Sequence, residues 1–120
     1  MNSYKELEIY NLALEYFIEV HKASLTLPKH ELYEQGSQVR RSAASVKDNI
    51  VEGYGRRKYR KDFIKFLIIS HASLLECKSQ LDAIFSIYNK EIFKDLSEKY
   101  DKLGGKIYNF IIYVETSWRS

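Results

Sequence analysis

One cysteine, one proline and five glycines in 120 residues are shortages that each exclude something. A lone Cys77 cannot close an intrachain disulfide, which fits a reducing compartment. So few chain breakers argue against a many-turned β fold and for long helices. The most apolar run, Phe63 to Leu75, has 13 residues and contains Lys65 and His71. A membrane span needs roughly 20 apolar residues, so none is expected. The first residues, MNSYKELEIY, carry no basic-then-apolar export pattern. A cytoplasmic location is the expectation. Metal chemistry lacks its ingredients too. The three histidines are His21, His30 and His71, no Glu-x-x-His pair occurs, and no zinc spacing is present. Gly53-Tyr54-Gly55 is followed by two arginines, not by the lysine-serine pair of a phosphate loop. No metal or cofactor is therefore expected. Nor does Glu52 have a second carboxylate or a histidine at a convincing spacing for acid–base work, so the chain reads as non-catalytic.

What is present is amphipathic helix. With 45% apolar and 29% charged residues, residues 1–120 form one globular domain large enough to bury a core. The first helix is predicted over Tyr4–Leu25. One face carries Leu7, Tyr10, Leu14, Phe17 and His21, and a second stripe carries Ile9, Ala13, Tyr16 and Val20. Pro28 ends it. The second is predicted over Glu31–Gly53, with core positions Leu32, Gly36, Val39, Ala43, Val46 and Ile50. Most are small, which predicts tight packing, and Gly53 and Gly55 are expected to stop the helix in left-handed geometry. The third, Tyr59–Tyr88, places Phe63, Leu67, Ser70, Leu74, Cys77, Leu81, Ile84 and Tyr88 four and three apart, the repeat of bundle packing. Ile64, Ile68, His71 and Leu75 add a second face, fit for the bundle centre or an oligomer contact. The fourth is predicted from Asn89, as N-cap, to Trp118, with core positions Leu96, Tyr100, Leu103, Ile107, Phe110 and Val114. Gly104 and Gly105 within it mark a close crossing or a break. The fold class is all-α, an antiparallel up-down-up-down four-helix bundle. His21, His71 and Cys77 read as packed core residues.

Two polar features stand out. Ser42, Ser45, Asn49 and Glu52 form a seam beside the core of the second helix. Its structural reading is a register-fixing network in which Arg40 or Arg41 reaches Glu76 or Ser73 on the third helix. The rival reading is a small-molecule pocket. The second feature is charge. The net charge is +3, but Val39–Lys65 holds nine basic residues against three acids, a local +6, and leaves −3 elsewhere. Arg56, Arg57, Lys58, Arg60 and Lys61 sit at the corner and first turn of the third helix, where positive charge opposes the helix dipole. Lys65 continues their face and Arg40 could extend it. Tyr54 and Tyr59 interleave and could stack on bases. Phosphate binding is one reading of this corner, and a solvated charged turn is the other.

The chain resembles the small bacterial four-helix-bundle proteins encoded in intervening sequences of 23S ribosomal RNA genes. The residues that carry the resemblance are Gln38, Arg40-Arg41, Ser45, Asn49-Ile50-Val51-Glu52-Gly53, Arg56-Arg57, Phe63, Phe66-Leu67, Ala72, Ser73-Leu74 and Glu76. Leu7, Ala13, Pro28 and Glu31 match more loosely. Glu34-Gln35-Gly36 departs from the pattern, which has apolar or small residues there. The resemblance implies a homopentamer of bundles. It also implies kinship with accessory proteins of diversity-generating retroelements, which bind nucleic acid and a reverse transcriptase.

The expectation is a basic homo-oligomer that binds the phosphate backbone of RNA, or failing that DNA, without strong sequence specificity, through Arg40, Arg56, Arg57, Arg60, Lys61 and Lys65. The alternative is a protein scaffold that engages a partner enzyme through apolar and tyrosine-rich surfaces. Ten tyrosines exceed what a small core holds. Tyr108, Tyr113 and Trp118 lie off the main stripe of the last helix and point to self-association.

Overall fold

The computed structural model describes residues 3–119, and among them all regular structure is helical. A short turn of 3-10 helix at Tyr4–Glu6 precedes α1 (Glu8–Ser24). A single helical turn at Lys29–Leu32 leads into α2 (Gln35–Gly55). Then come α3 (Arg60–Tyr88) and α4 (Glu91–Thr116). Side-chain pairs run in opposite senses along each neighbouring pair of helices. Ser24 meets Arg40 while Phe17 meets Lys47. Val46 meets Ser70 while Ser42 meets Gln80. Phe63 meets Phe110 while Lys78 meets Ser97. Glu8 meets Lys106 while Glu19 meets Lys99, so α4 closes back on α1. The result is an antiparallel four-helix rod, 47 × 21 × 20 Å.

The heptad of α3 is its backbone of burial. Phe63, Leu67, Ser70, Leu74, Cys77, Leu81 and Ile84 are all buried. Each large apolar member contributes roughly 1.5–3 kcal/mol on leaving water. Predicted core positions of α2 and α4 are buried likewise, except for the half-buried Leu32 and Phe110. In α1 the second stripe is the inner one. Ile9, Ala13 and Val20 are buried, whereas Tyr10 and Phe17 are partly buried and His21 is exposed. His21 is thus not a core histidine, and His71 is only half-buried. Cys77 is buried, as expected, and burial pushes its thiol up to about 12.

The glycines act by size, not by backbone freedom. No glycine has positive φ, and α2 runs straight through Gly53 to Gly55. A Cβ on Gly53 would lie 3.2 Å from Phe63 and from Phe66, so the residue lets α2 and α3 touch. Gly104 does the same for α3 and α4, where its Cβ would be 3.1 Å from Leu74, and α4 continues unbroken past it. Asn89 does not cap α4. It takes left-handed geometry, φ 54°, and its N–H closes α3 on the carbonyl of Phe85. The predicted second helix is interrupted at Tyr33 and Glu34, the place where the sequence departs from the pattern it resembles. The bend brings the Glu31 carbonyl to 2.9 Å from where a Cβ on Gly36 would be.

The polar seam is a structural zipper between α2 and α3. The Ser42 hydroxyl donates to Gln80 at 2.6 Å and Ser70 donates to the Val46 carbonyl at 2.6 Å. The hydroxyls of Ser45 and Ser73 pair at 2.7 Å. Asn49 donates its amide N–H groups to the Ser45 carbonyl and hydroxyl. The last two expected members lie outside the zipper: Glu52 is exposed and loosely paired with Arg56, and Glu76 only accepts from Gln80 at 3.5 Å. No arginine reaches Glu76 or Ser73. Arg40 turns the other way, donating to the Ser24 hydroxyl and the Leu32 carbonyl, both at 2.8 Å. It ties the ends of α1 and α2 to the turn between them.

Candidate nucleic-acid interface

At the far end of the rod, α2 ends, α3 begins and α4 ends. Antiparallel packing therefore sets two helix C-termini beside the basic run. That resolves the apparent conflict with the dipole of α3, because part of the run serves its neighbours. Arg57 donates to the Tyr54 carbonyl at 3.1 Å and lies 4.1 Å over the Tyr54 ring. Arg60 donates to the carbonyls of Glu115 and Trp118, at 3.3 and 3.0 Å. Cations belong at such carbonyl-rich ends. Arg60 also holds Trp118 in an aromatic cluster with Phe63 (5.2 Å), Tyr113 (6.1 Å), Phe110 (6.1 Å) and Tyr54 (6.4 Å). Trp118 is thus an anchor of the bundle end rather than an open interface residue. Tyr54 is buried in the same cluster and cannot offer a face to a base, whereas Tyr59 is 63% exposed.

The other cations divide further. Arg56 lies between Glu52 (3.6 Å) and Asp62 (3.7 Å), over the Phe66 ring at 4.8 Å. Its carboxylate contacts are long and all three side chains are near half-exposed. Pairs of this kind contribute little and leave the guanidinium available. Lys58, Lys61 and Lys65 are exposed, and among the described residues no carboxylate pairs with any of them. Lys58 and Lys65 only graze the rings of Tyr59 and Phe66, at 5.8 Å each. Lys61 and Lys65 lie one turn apart on α3. Lys58, Tyr59, Arg60, Lys61 and Asp62 line an open depression of about 620 Å³. Arg40 is not part of this corner. Sixteen residues of helix, roughly 24 Å, separate it from Arg56, and its guanidinium is engaged in the Ser24 and Leu32 contacts.

A second concavity lies beside the corner, and it takes in two of the four seam residues, Asn49 and Glu52, for which a pocket was the rival reading. Tyr4, Tyr10, Asp48, Asn49, Glu52 and Phe66 line an open cleft of about 510 Å³. Asp48 and Glu52, four apart on one face of α2, were the signal available. The tyrosines come from elements whose placement only the fold reveals. Among the described residues no group of side chains is arranged to hold a metal ion, and no helix is long and apolar enough to cross a membrane.

The 23S rRNA-intervening sequence protein family matches residues 5–109, nearly the whole bundle and the corner with it. The chain belongs to this family. The fold of this intervening-sequence protein is similar to the crystal structure of a protein of unknown function. That protein is from the S23 ribosomal protein family of Bacteroides thetaiotaomicron VPI-5482. Identity is 19%, the TM-score is 0.73, and the match covers 86% of this chain and 97% of the other. At that identity the likeness concerns the fold alone. No curated protein matches the chain. Polar side chains within the matched region divide, in this intervening-sequence protein, between zipper residues (Ser45, Asn49, Ser73), cap-forming arginines (Arg40, Arg57) and outward charge (Arg56).

Proposed function

We propose that this intervening-sequence protein is a non-catalytic, basic module that binds the phosphate backbone of RNA or DNA without strong sequence specificity, with RNA the favoured partner. The observation that carries the reading is the set Lys58, Lys61 and Lys65. These are three exposed ammonium groups with no carboxylate partner among the described residues, flanked by the part-exposed Arg56 and Arg57. Lysines on a solvent-facing helix are mobile point charges suited to sequence-independent phosphate contact. Arg60 supports the corner by fixing the end of α4, and Arg40 supports the opposite end of the bundle.

Filter binding of single-stranded and hairpin RNA at several salt concentrations tests the reading. About four phosphate contacts give a log–log salt slope of roughly −3, so each doubling of salt weakens binding about eightfold. Lys61→Glu with Lys65→Glu abolishes most of that slope. Salt-independent binding, or none at low salt, refutes it.

Homo-oligomerisation belongs to the same proposal, with a pentamer suggested by the resemblance. Its support is an apolar face on α3 and α4, where Ile68 (53%), Leu75 (55%), Tyr108 (58%) and Ile112 (41%) are exposed. Such a face also favours the second reading, a scaffold for a partner enzyme such as a reverse transcriptase. Light scattering at tens of micromolar tests assembly; a monomer there leaves the face to a different protein.

A further inference from the structure

The cleft beside the corner has a lining of one chemical kind. Asp48 and Glu52 present exposed carboxylates. Asn49 spends its N–H groups on Ser45, which leaves its side-chain oxygen as an acceptor. These three groups therefore accept, while the hydroxyls of Tyr4 and Tyr10 can either donate or accept. Tyr4 and Tyr10, packed edge to face at 4.8 Å, supply aromatic surface. The cleft is continuous with the cations, because Arg56 touches two of its walls, Glu52 and Phe66.

An acceptor-lined aromatic cleft suits either a cation or a neutral ring rich in N–H donors. The existing contacts decide between them. Asp48 already has the Lys47 ammonium at 2.8 Å, and Glu52 has the Arg56 guanidinium at 3.6 Å. Both carboxylates are exposed and screened by water, so a further full charge gains little there. Neutral N–H donors can still use their remaining lone pairs.

We propose that this cleft receives one unpaired base of an RNA held on the lysine corner, and that it prefers guanine. The inference rests on the corner as the phosphate site. Guanine alone sets N1–H and the N2 amino group side by side, two donors that match one carboxylate bidentately. Adenine and cytosine each place an acceptor next to the amino group, and uracil flanks its single N–H with two acceptors. The base stacks against the tyrosines while its phosphates stay on Arg56 and Lys65.

The test is fluorescence anisotropy with four hairpin RNAs that differ in one loop base. It is run on the full chain and on the Asp48→Asn, Glu52→Gln and double variants. Both side chains are exposed, so folding is not at stake, and circular dichroism verifies this. The guanine loop binds about tenfold tighter than the others, the worth of one bidentate pair. The double variant brings the four loops together, with overall affinity equal or higher and the salt slope retained. Equal, salt-sensitive binding of all four loops by the unsubstituted chain overturns the guanine cleft and leaves the corner standing. A preference that survives in the double variant also overturns it. So does an arginine-rich peptide that competes better than the guanine loop and loses its hold in the double variant. Failure to bind any hairpin at low salt removes both readings.

Discussion

Two glycines on packed helices give opposite answers to the same substitution. Gly105 sits inside α4, exposed, and a Cβ there meets nothing within 4 Å. Gly105→Ala therefore yields the propensity gain alone, about 1 kcal/mol. Gly53 lies near the end of α2, so its propensity gain is smaller. Its Cβ would stand 3.2 Å from Phe63 Cδ1, from the Phe63 carbonyl and from Phe66 Cβ. Two of those three atoms are backbone or first-carbon positions that cannot swing away. The third belongs to a ring that is 0% exposed and boxed in by Tyr54, Phe110 and Trp118. Overpacking of this kind costs about 1–3 kcal/mol. Gly53→Ala is thus expected to destabilise by about 1–2 kcal/mol, and the two variants to differ by about 2–3 kcal/mol. Urea titration followed by far-ultraviolet circular dichroism reads this as midpoints moving in opposite directions at constant m-value. In a thermal scan each kcal/mol moves Tm by about 4 °C for a chain of this size. Equal shifts, or a stabilised Gly53→Ala, would refute the close approach of α2 to α3.

Two further outcomes follow from the interior. Cys77 is raised from 9.0 to about 12 by burial, and Tyr100 is raised as well. The unfolded chain loses these protons first, so stability held below pH 9 is lost as pH rises towards 12, by about 1.4 kcal/mol per unit for Cys77. Cys77→Ala should flatten that slope in urea midpoints between pH 9 and 10, and an unchanged slope would count against it. Arg40→Ala removes two charge-assisted hydrogen bonds and should cost about 2–3 kcal/mol in the same titration while RNA affinity holds. A loss of affinity in a folded Arg40→Ala protein would return Arg40 to the interface.

Periodicity alone located the four helices, every buried position of α3 and most of those on α2 and α4, though it passed over Tyr54 and Phe93. On α1 it gave two stripes and did not choose between them. Both stripes there are apolar, and only the partners decide that Ile9, Ala13 and Val20 face inward while His21 faces water. Breakers were also misjudged. Gly53 looked like a stop yet is a contact, since the need for a small side chain comes from the helix opposite, and of the two readings of Gly104, crossing or break, the crossing is what the fold uses. The left-handed residue is Asn89, where local sequence also fits an N-cap. Register was the third thing hidden. The zipper sets Ser45 beside Ser73 and Ser42 beside Gln80, about six and ten residues further along α3 than antiparallel pairing about a tight Gly53–Lys58 corner would put them. The extra length lies in the Arg56–Tyr59 connection.

The basic run shows why charge is harder to read than hydrophobicity. Burial is imposed on an apolar residue by the solvent, but a cation has several satisfactory fates. Here Arg40 and Arg60 bind backbone carbonyls at opposite ends of the rod, Arg57 caps α2, and Arg56 lies between two acids. Each of these four arginines found a planar or carbonyl-rich partner within the fold, as the forked guanidinium favours. The lysines did not, since a short-range ammonium on a long stem gains little by burial. Removing the internally used arginines from the site leaves Lys58, Lys61 and Lys65 as the charge that folding does not consume. Phosphate binding at this end of the bundle therefore stands or falls with the lysines, whatever becomes of the arginines that first drew notice.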